Sequence, residues 1–240
     1  MTPERKHRLE SVLNARQPDL TVIADEVHKG RNMAAIVRTC DAVGVAKLYS
    51  VVPEDGYNPY RGTALGANKW VDVKRCQNVL DPIRHLKQQG YQIVSTGLDA
   101  TAKHYREIDY TKPAALLMGN EKRGISEAAR ELTDHLVTIP MVGMVESLNV
   151  SVAAAIILNE AQNQRREKGM YDGPFLESSE YTRLFFKWGH PKVAAFCEER
   201  GFAYPPLRED GEIIEPAKWY EAVREGTAPT ATHPTDEFRP

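Results

Sequence analysis

The sequence predicts an α/β fold in which a parallel β-sheet is flanked by helices. Short runs of β-branched and aliphatic residues alternate with helical stretches about every 20–30 residues between positions 20 and 168, which is the pattern of consecutive βαβ units. Two predicted strands also run directly into polar, glycine-containing loops, at Gly119–Gly124 and after Pro140. Open α/β sheets bind ligands in loops at the carboxyl ends of their strands. We therefore expect a ligand site where these two loops meet.

Local signals define the elements in chain order. Thr2 and Pro3 begin a helix with a capping hydroxyl and a proline at the first helical position, and this helix ends before Gln17. Pro53 and Pro140 each end a strand, because proline lacks the N–H that the sheet requires. The elements predicted for the α/β region are strand 20–24, helix 32–43, strand 47–52, strand 70–74, helix 79–89, strand 92–96, strand 114–118, strand 136–139 and helix 148–167.

Composition divides the chain into four segments. These are an N-terminal helical extension at 1–19, the α/β domain at 20–168, a C-terminal helical extension at 169–225, and a tail at 226–240. Three amphipathic helices are predicted in the C-terminal extension, at 178–188, 190–200 and 216–225. The tail is rich in Thr, Pro, Ala and His and is predicted to be disordered.

The charge balance does not indicate a molecule-wide field for nucleic-acid binding. The chain carries 31 Lys and Arg against 33 Asp and Glu, a formal net charge of −2. RNA binding would therefore depend on local basic clusters, for which solvated helix faces of mixed charge are an equally good explanation. The candidate clusters are Arg5, Lys6, Arg8 and Arg16 near the start, and Arg165, Arg166 and Lys168 later.

The cysteines and the hydropathy of the sequence indicate in which cellular compartment the protein is expected. The three cysteines, Cys40, Cys76 and Cys197, lie far apart without a CxxC pair, so we expect no zinc site, and their odd number suits a reducing compartment. No apolar run approaches the ~18 residues of a membrane-spanning helix, and the charged start is unlike a signal peptide. The expectation is a cytoplasmic protein with no membrane association and no metal.

The segment Val137–Ala155 gives the strongest indication of a binding site. Pro140 ends a strand, and Ser147 and Asn149 are natural caps for the helix that follows. Small residues in that helix permit close approach of a second chain segment or of a flat ligand. The other loop, Gly119–Gly124, lacks the glycine patterns of P-loops and dinucleotide-binding folds, and taken alone it is typical of an ordinary turn.

Three motifs occur in order along the chain: Asn32-x5-Arg38, Gly119-Asn-Glu121, and Ile139-Pro-Met141 followed by Ser147-Leu-Asn149. Together they resemble the motifs of the SpoU/TrmH family of RNA 2′-O-ribose methyltransferases, and the similarity extends over roughly residues 1–220. The resemblance implies S-adenosylmethionine as cofactor, tRNA as partner, a homodimer and a C-terminal trefoil knot. Rules of chain connection alone do not predict a knot.

Within the family, the chain is most similar to members that methylate the D-loop guanosine at tRNA position 18. The segments Arg16–Val22 and Gly211–Trp219 carry this closer similarity. The implied catalytic residues are Asn32, Arg38, Glu121, Ser147 and Asn149. The implied cofactor-binding residues are Leu98, Gly119, Asn120, Glu121, Ile139, Met141, Leu148 and Asn149. The implied RNA contacts are Arg8, Arg31, Arg165 and Arg166.

Several of these residues have a second interpretation from sequence alone. Asn32 is either the N-cap of its helix or the residue that positions Arg38, and Ser147 and Asn149 are caps, active-site residues or both. Arg38 either faces solvent or binds an RNA phosphate. A proposal for the family makes this arginine the base that deprotonates the ribose 2′-OH. The alternative is that a neighbouring phosphate takes the proton while the guanidinium holds both groups.

Other functions compete with D-loop methylation. In one alternative function, the same chemistry acts on another tRNA position or on ribosomal RNA. In another, the chain is a non-catalytic RNA-binding protein on the same fold, for which decay of the motifs is expected; all five implied catalytic residues are nevertheless present. A nucleotide-binding oxidoreductase is disfavoured because the GxGxxG pattern is missing.

Overall fold

The computed structural model describes residues 1–27, 29–51, 67–120 and 123–231. The chain separates into two compact units. The larger unit is Gln17–Tyr171, and the smaller combines Met1–Arg16 with the described residues from Asp172 to Ala231. None of the helices in the described ranges has the length and apolar character that a membrane span requires.

The larger unit is built on one parallel sheet. Its described strands are β1 Leu20–Ala24, β2 Lys47–Val51, β3 Asp72–Cys76, β4 Gln92–Thr96, β5 Lys103–His104, β6 Ala114–Met118 and β7 His135–Thr138. They pair in parallel in the order β3-β2-β1-β6-β4-β7-β5. This order places the carboxyl ends of β6, β4 and β7 side by side, and Ala24 at the end of β1 opposite Met118 at the end of β6.

Helices of the larger unit complete its core, and the smaller unit contains helices of its own. The described helices are α1 Pro3–Asn14, α2 Gly30–Ala42, α3 Leu80–Gln88, α4 Glu127–Glu131, α5 Val150–Glu167, α6 Ser178–Gly189, α7 Pro191–Arg200 and α8 Pro216–Glu225. Every residue of β1 and β6 is buried. Ile36 and Val37 of α2 share this core with Ile157 and Leu158 of α5. Each such aliphatic side chain stabilises the fold by roughly 1.5–3 kcal/mol.

The elements predicted from sequence for the α/β region are confirmed in type and order. The third strand begins two residues later than predicted, because Trp70 and Val71 instead donate backbone hydrogen bonds to Ala67 in the preceding 3₁₀ turn. The sequence did not predict β5, of two residues, or α4, of five. Both are shorter than the window over which periodicity is detectable. Val52 and Pro53 lie outside the described residues.

The smaller unit contains α1 and the three predicted C-terminal helices. The Thr2 hydroxyl accepts a hydrogen bond from the Arg5 N–H at 3.3 Å and caps α1 as predicted. Arg5 also binds the Trp188 carbonyl of α6 at 2.9 Å. The guanidinium of Arg16 lies 5.1 Å from the Trp188 ring centroid, a geometry that contributes cation–π attraction.

The prediction of a disordered tail does not hold for residues 226–231. The Ala203 N–H donates to the Pro229 carbonyl at 2.8 Å, and the Ala231 N–H donates to the Gly201 carbonyl at 2.8 Å. Ala228 is buried. Backbone pairing to a distant segment thus orders residues whose composition alone favours disorder. Residues 232–240, the rest of the predicted tail, lie outside the described part of the chain.

Candidate functional site

A cavity of about 640 Å³ opens at the carboxyl ends of β4, β6 and β7. Its walls are the segments that follow these three strands together with the first turn of α5. The predicted ligand site was the meeting point of the loops after β6 and β7, and the structure brings these two loops together there. They meet because β4 lies between β6 and β7 in the sheet, so that all three strand ends reach one edge.

The loop after β6 is a closed turn as well as a wall of the cavity. Asn120 and Gly124 exchange backbone hydrogen bonds of 3.0 and 2.9 Å, and Gly124 has a φ of +70°. A Cβ atom at Gly119 would lie 2.4 Å from the backbone carbon of Gly124, so only glycine fits. The Asn120 side chain donates to the Glu26 carbonyl at 3.1 Å and accepts from the Arg123 N–H at 3.2 Å. The loop is therefore fixed from both sides.

An amide pair joins the first motif to the third. Asn149 caps α5: its Oδ1 accepts from the Ser151 N–H at 2.9 Å and from the Ser151 hydroxyl at 2.7 Å. Its Nδ2 donates to Asn32 Oδ1 at 3.1 Å, which fixes the orientation of the amide at the cavity wall. Asn32 is not the N-cap of its helix, since α2 begins at Gly30 after Lys29. The N-cap interpretation of Asn32 is therefore wrong.

The predicted cofactor-binding residues within the described ranges all line the cavity. They are Leu98, Gly119, Asn120, Ile139, Met141, Leu148 and Asn149. Ser147 lines it too. Leu98 is 67% exposed and is therefore available to cover a ligand. Glu121 lies outside the described residues, and its role stays a prediction.

Arg38 does not line the cavity of its own chain. It is exposed on α2, six residues after Asn32, which is about 9 Å further along the helix axis. Within the described ranges, the Arg38 side chain forms no hydrogen bond or ion pair. Arg38 therefore does not share a cavity with Ser147 and Asn149 when one chain is considered alone.

The prediction that Arg165 contacts RNA is wrong. Its side chain is fully buried at the C-terminal end of α5. The guanidinium forms an ion pair with Asp19 at 2.5 Å and donates to Gln17 Oε1 and to the carbonyls of Tyr110 and Lys112 at 3.1, 2.8 and 3.2 Å. Helical periodicity could have predicted this burial, because Arg165 lies one helical turn after buried Ala161 on the same face of α5. The other predicted RNA contacts, Arg8, Arg31 and Arg166, are exposed.

Three cations at the cavity were not predicted from the sequence. Lys29, Arg123 and Arg130 are among its lining residues. Arg123 is 75% exposed and lies 3.7 Å from Glu26, and Arg130 binds Asp99 at 2.6 Å. Arg123 lies inside the loop Gly119–Gly124 that the sequence analysis had singled out, whereas Arg130 belongs to α4, a helix that the sequence did not predict. Together these side chains favour an anionic group at the cavity.

The volume of the cavity and the residues that line it fit S-adenosylmethionine. The volume lies within the range of roughly 300–1,000 Å³ typical of small-molecule sites. Leu98, Ile139 and Leu148 provide apolar surface for an adenine ring, and the backbone of Gly119 forms part of the cavity wall. Among the described residues, no group of three or more His, Cys, Asp or Glu side chains converges on one point.

Comparison with known proteins decides the family. The model of the "SpoU rRNA Methylase family" matches residues 19–159, and the model of "SpoU, rRNA methylase, C-terminal" matches residues 163–216. The chain belongs to the SpoU methylase family. The parallel sheet with flanking helices is the fold of its solved members, and the trefoil knot is implied by membership in this family.

Relatives within the SpoU family are similar over most of their length. The tRNA (guanosine(18)-2′-O)-methyltransferase of Escherichia coli K12 is 45% identical over 226 residues, covering 93% of this chain and 99% of the relative. The enzyme of the same name from Thermus thermophilus is 48% identical over 187 residues, covering 78% and 96%. The crystal structure of the A. aeolicus TrmH/SpoU tRNA modifying enzyme superposes with a TM-score of 0.74 at 46% identity, covering 79% and 97%.

A more distant member was solved with its cofactor. AviRb from Streptomyces viridochromogenes, in complex with AdoMet, gives a TM-score of 0.55 at 29% identity and covers 64% of this chain and 59% of that chain.

Proposed function

We propose that the chain is an S-adenosylmethionine-dependent methyltransferase that methylates the ribose 2′-OH of guanosine 18 in the D loop of tRNA. The observation that carries the proposal is the convergence of motif residues on one cavity, where Asn149 of the third motif binds Asn32 of the first at 3.1 Å. The relatives named for this reaction share 45–48% of their residues with the chain.

For this reaction the protein mainly has to align the ribose 2′-oxygen with the methyl group and exclude water from the site. When bound, S-adenosylmethionine supplies a methyl group already activated by the sulfonium. Gly119 and Asn120 present a rigid backbone to the cofactor, while Leu98, Ile139 and Leu148 cover it with apolar surface. The amide of Asn149, held by Asn32 and Ser151, is positioned to hydrogen-bond either the cofactor or the ribose.

We propose that the enzyme is a homodimer in which Arg38 of one subunit serves the cavity of the other. Two features support this arrangement. Arg38 is exposed and lies away from its own cavity. The loop between β7 and α5 exposes Val142 and Met144 almost completely and Val145 by 62%. Burial of such apolar surface stabilises an association by about 25 cal/mol per Å².

For Arg38 we propose a holding role. A guanidinium keeps its proton at neutral pH and offers donors in a planar fork that suits phosphate. Arg38 thus binds the ribose oxygen together with the neighbouring phosphate. The neighbouring phosphate takes the 2′-OH proton while Arg38 holds both groups, and S-adenosylmethionine would supply the methyl group and leave as S-adenosylhomocysteine.

We propose that Arg8, Arg31 and Arg166 bind phosphates of the tRNA, since all three are exposed. Phosphate contacts position a nucleic acid and carry no sequence information. Selection of guanosine 18 therefore rests on the shape of the tRNA and on the nucleotide that enters the cavity. We also propose that the enzyme is cytoplasmic, which a tRNA substrate supports.

The test is a methyl-transfer assay with labelled S-adenosylmethionine and unmodified tRNA. Wild type is compared with Arg38→Ala and with Arg84→Ala, a control at an exposed arginine of α3. We expect one methyl group at guanosine 18, no transfer to tRNA that carries 2′-deoxyguanosine there, and loss of activity only in Arg38→Ala. A methyl group mapped elsewhere in tRNA, or transfer to ribosomal RNA alone, contradicts the assigned substrate. If the protein does not bind S-adenosylmethionine, the proposal that it is a methyltransferase is wrong.

A further inference from the structure

An ion pair that the reaction described above does not use joins two segments beside the cavity. The carboxylate of Asp99, in the segment after β4, binds the guanidinium of Arg130 in α4, with 2.6 Å between Oδ2 and Nη2. Arg130 lines the cavity, and so does Leu98, the neighbour of Asp99. The ion pair therefore connects the segment that carries Leu98 to a helix on another part of the cavity wall.

The helix that carries Arg130 is anchored at both ends. At the start of α4, the Ser126 hydroxyl accepts a hydrogen bond from the Ala129 N–H at 3.3 Å, and Ala129 is fully buried. Beyond the end of α4, the Asp134 N–H donates to the Ile93 carbonyl at 2.9 Å, and the Ile93 N–H donates to the Asp134 carboxylate at 2.8 Å. Because Ile93 belongs to β4, the central sheet fixes the position of α4 and hence the base of the Arg130 side chain.

The segment after β4 is held on both sides of Leu98. On one side the Gly97 N–H donates to the Val137 carbonyl of β7 at 3.0 Å. On the other side Asp99 is held by Arg130. Leu98 itself is 67% exposed, so contacts of its own side chain do little to fix it. The position of Leu98 at the cavity therefore depends on its two neighbours.

The two oxygens of the Asp99 carboxylate have different partners. Oδ1 accepts from the N–H and the hydroxyl of Thr101 at 2.9 and 2.8 Å, whereas Oδ2 binds Arg130. The hydrogen bonds from Thr101, and after them the one from Arg130, hold the pKa of Asp99 below its ordinary value. The carboxylate is therefore ionised at neutral pH. Asp99→Asn can keep the turn with Thr101 and remove the ion pair alone.

On the basis of the function proposed above, we propose that Asp99 and Arg130 are positioning residues whose ion pair holds Leu98 in place to cover S-adenosylmethionine. A side chain that is fixed before binding loses less freedom when the ligand arrives, and the affinity is higher for that reason. The side chains of Arg130 and Asp99 are 44% and 36% exposed. The effect is therefore that of a surface ion pair, about two- to fivefold in Kd.

Isothermal titration calorimetry with S-adenosylmethionine on the full chain tests the ion pair through a double-mutant cycle. We expect Asp99→Asn and Arg130→Met each to raise the Kd about two- to fivefold. The double variant should raise it no further, because both substitutions remove the same ion pair. Salt at about 1 M should bring the wild-type Kd closer to that of Asp99→Asn, since it screens an exposed ion pair. Glu180→Gln, which removes an ion pair of similar exposure in α6, is the control and should bind like wild type.

Steady-state kinetics separate positioning of the cofactor from general damage to the fold. In both single variants KM for the cofactor should rise, while kcat and KM for tRNA stay within about twofold. Additive effects in the double variant overturn the proposal, because Arg130 would then bind the cofactor directly. Asp99→Asn that binds as tightly as a normally binding wild type overturns it too and leaves the methyltransferase function standing. If wild type binds no S-adenosylmethionine, the proposed function fails together with this inference.

Discussion

At the scale of single residues, the site depends on the fixed orientation of the Asn149 amide and on the absence of a side chain at Gly119. The Asn149 amide is oriented by an acceptor on Asn32 and by donors on Ser151, so its oxygen and nitrogen are not interchangeable. Gly119 is required because any Cβ would meet the backbone of Gly124. Residues of these types also occur in ordinary turns and caps, and it is their mutual contact that distinguishes them here.

Gly119→Ala should abolish cofactor binding. The new methyl group has to displace the backbone at Gly124, which opens the turn that Asn120 closes. We expect a loss of stability of about 1–3 kcal/mol and no measurable heat on titration with S-adenosylmethionine. Gly173→Ala is the matched control, since a Cβ there meets nothing within 4 Å. Retention of wild-type affinity in Gly119→Ala would show that the loop does not bind the cofactor.

Asp25 is buried directly after β1, and Asp25→Asn should stabilise the fold in alkaline buffer. The folded-state pKa of Asp25 is raised from 3.8 to about 6, so the folded protein binds the proton more tightly than the unfolded chain. Stability from this group is present below pH 3.8 and is lost as the pH rises through about 6. The ionised group then costs on the order of 3 kcal/mol, which the neutral amide avoids. Thermal unfolding should show a higher Tm for the variant at pH 8, about half of that increase at pH 5, and little difference well below pH 3.8. An equal or lower Tm at pH 8 is the contrary result.

At the scale of elements, α5 shows how one helix divides its basic residues between two tasks. Arg165 and Arg166 are adjacent in sequence and about 100° apart around the helix. The first is buried against Asp19 and backbone carbonyls, and the second is exposed beside Tyr171. The small residues of the helix allow it to lie close to the core, with Ala154 and Ala161 almost fully buried.

Arg165→Ala and Arg166→Ala should therefore have opposite phenotypes. Removal of Arg165 leaves the Asp19 carboxylate and several carbonyls without their donors, and we expect a loss of about 3–5 kcal/mol in urea unfolding. Arg166→Ala should change stability by less than about 0.5 kcal/mol. It should instead weaken tRNA binding and lower the salt dependence of log K by about one unit. If Arg165→Ala is stable and binds RNA more weakly, the prediction from sequence that Arg165 contacts RNA would be correct after all.

At the scale of the whole molecule, the question is how many chains make one active site. The cavity of a single chain is lined by Asn149 and by the loop after β6 but not by Arg38. The apolar loop at Val142–Val145 has no covering among the described residues of the same chain. Both features are accounted for if two chains associate through this loop, with each supplying an arginine to the other.

Subunit complementation tests this assembly. Arg38→Ala and Asn149→Ala should each be inactive as homodimers. When they are co-expressed, about half of the dimers are mixed, and each mixed dimer has one site with both residues intact. We expect about a quarter of wild-type activity from this statistical assembly. If Arg38 acts within its own chain, every site lacks one residue and no activity returns. Light scattering on each variant checks that the dimers form.

The sequence by itself determined the type and order of the main elements and the positions of the motifs. These depend on local physics, namely the period of apolar residues, the caps at Thr2 and Asn149, and the breaks at proline and glycine. It also located the ligand site, because loops at the ends of parallel strands share one edge.

Only the tertiary structure decided which residues meet. The insertion of β6 between β1 and β4, the contact of Asn32 with Asn149 across 117 positions, the burial of Arg165 and the pairing of residues 229–231 with 201–203 all join distant segments. Local patterns specify which face of an element is apolar. The partner of each polar group is set by packing, which is a property of the whole chain.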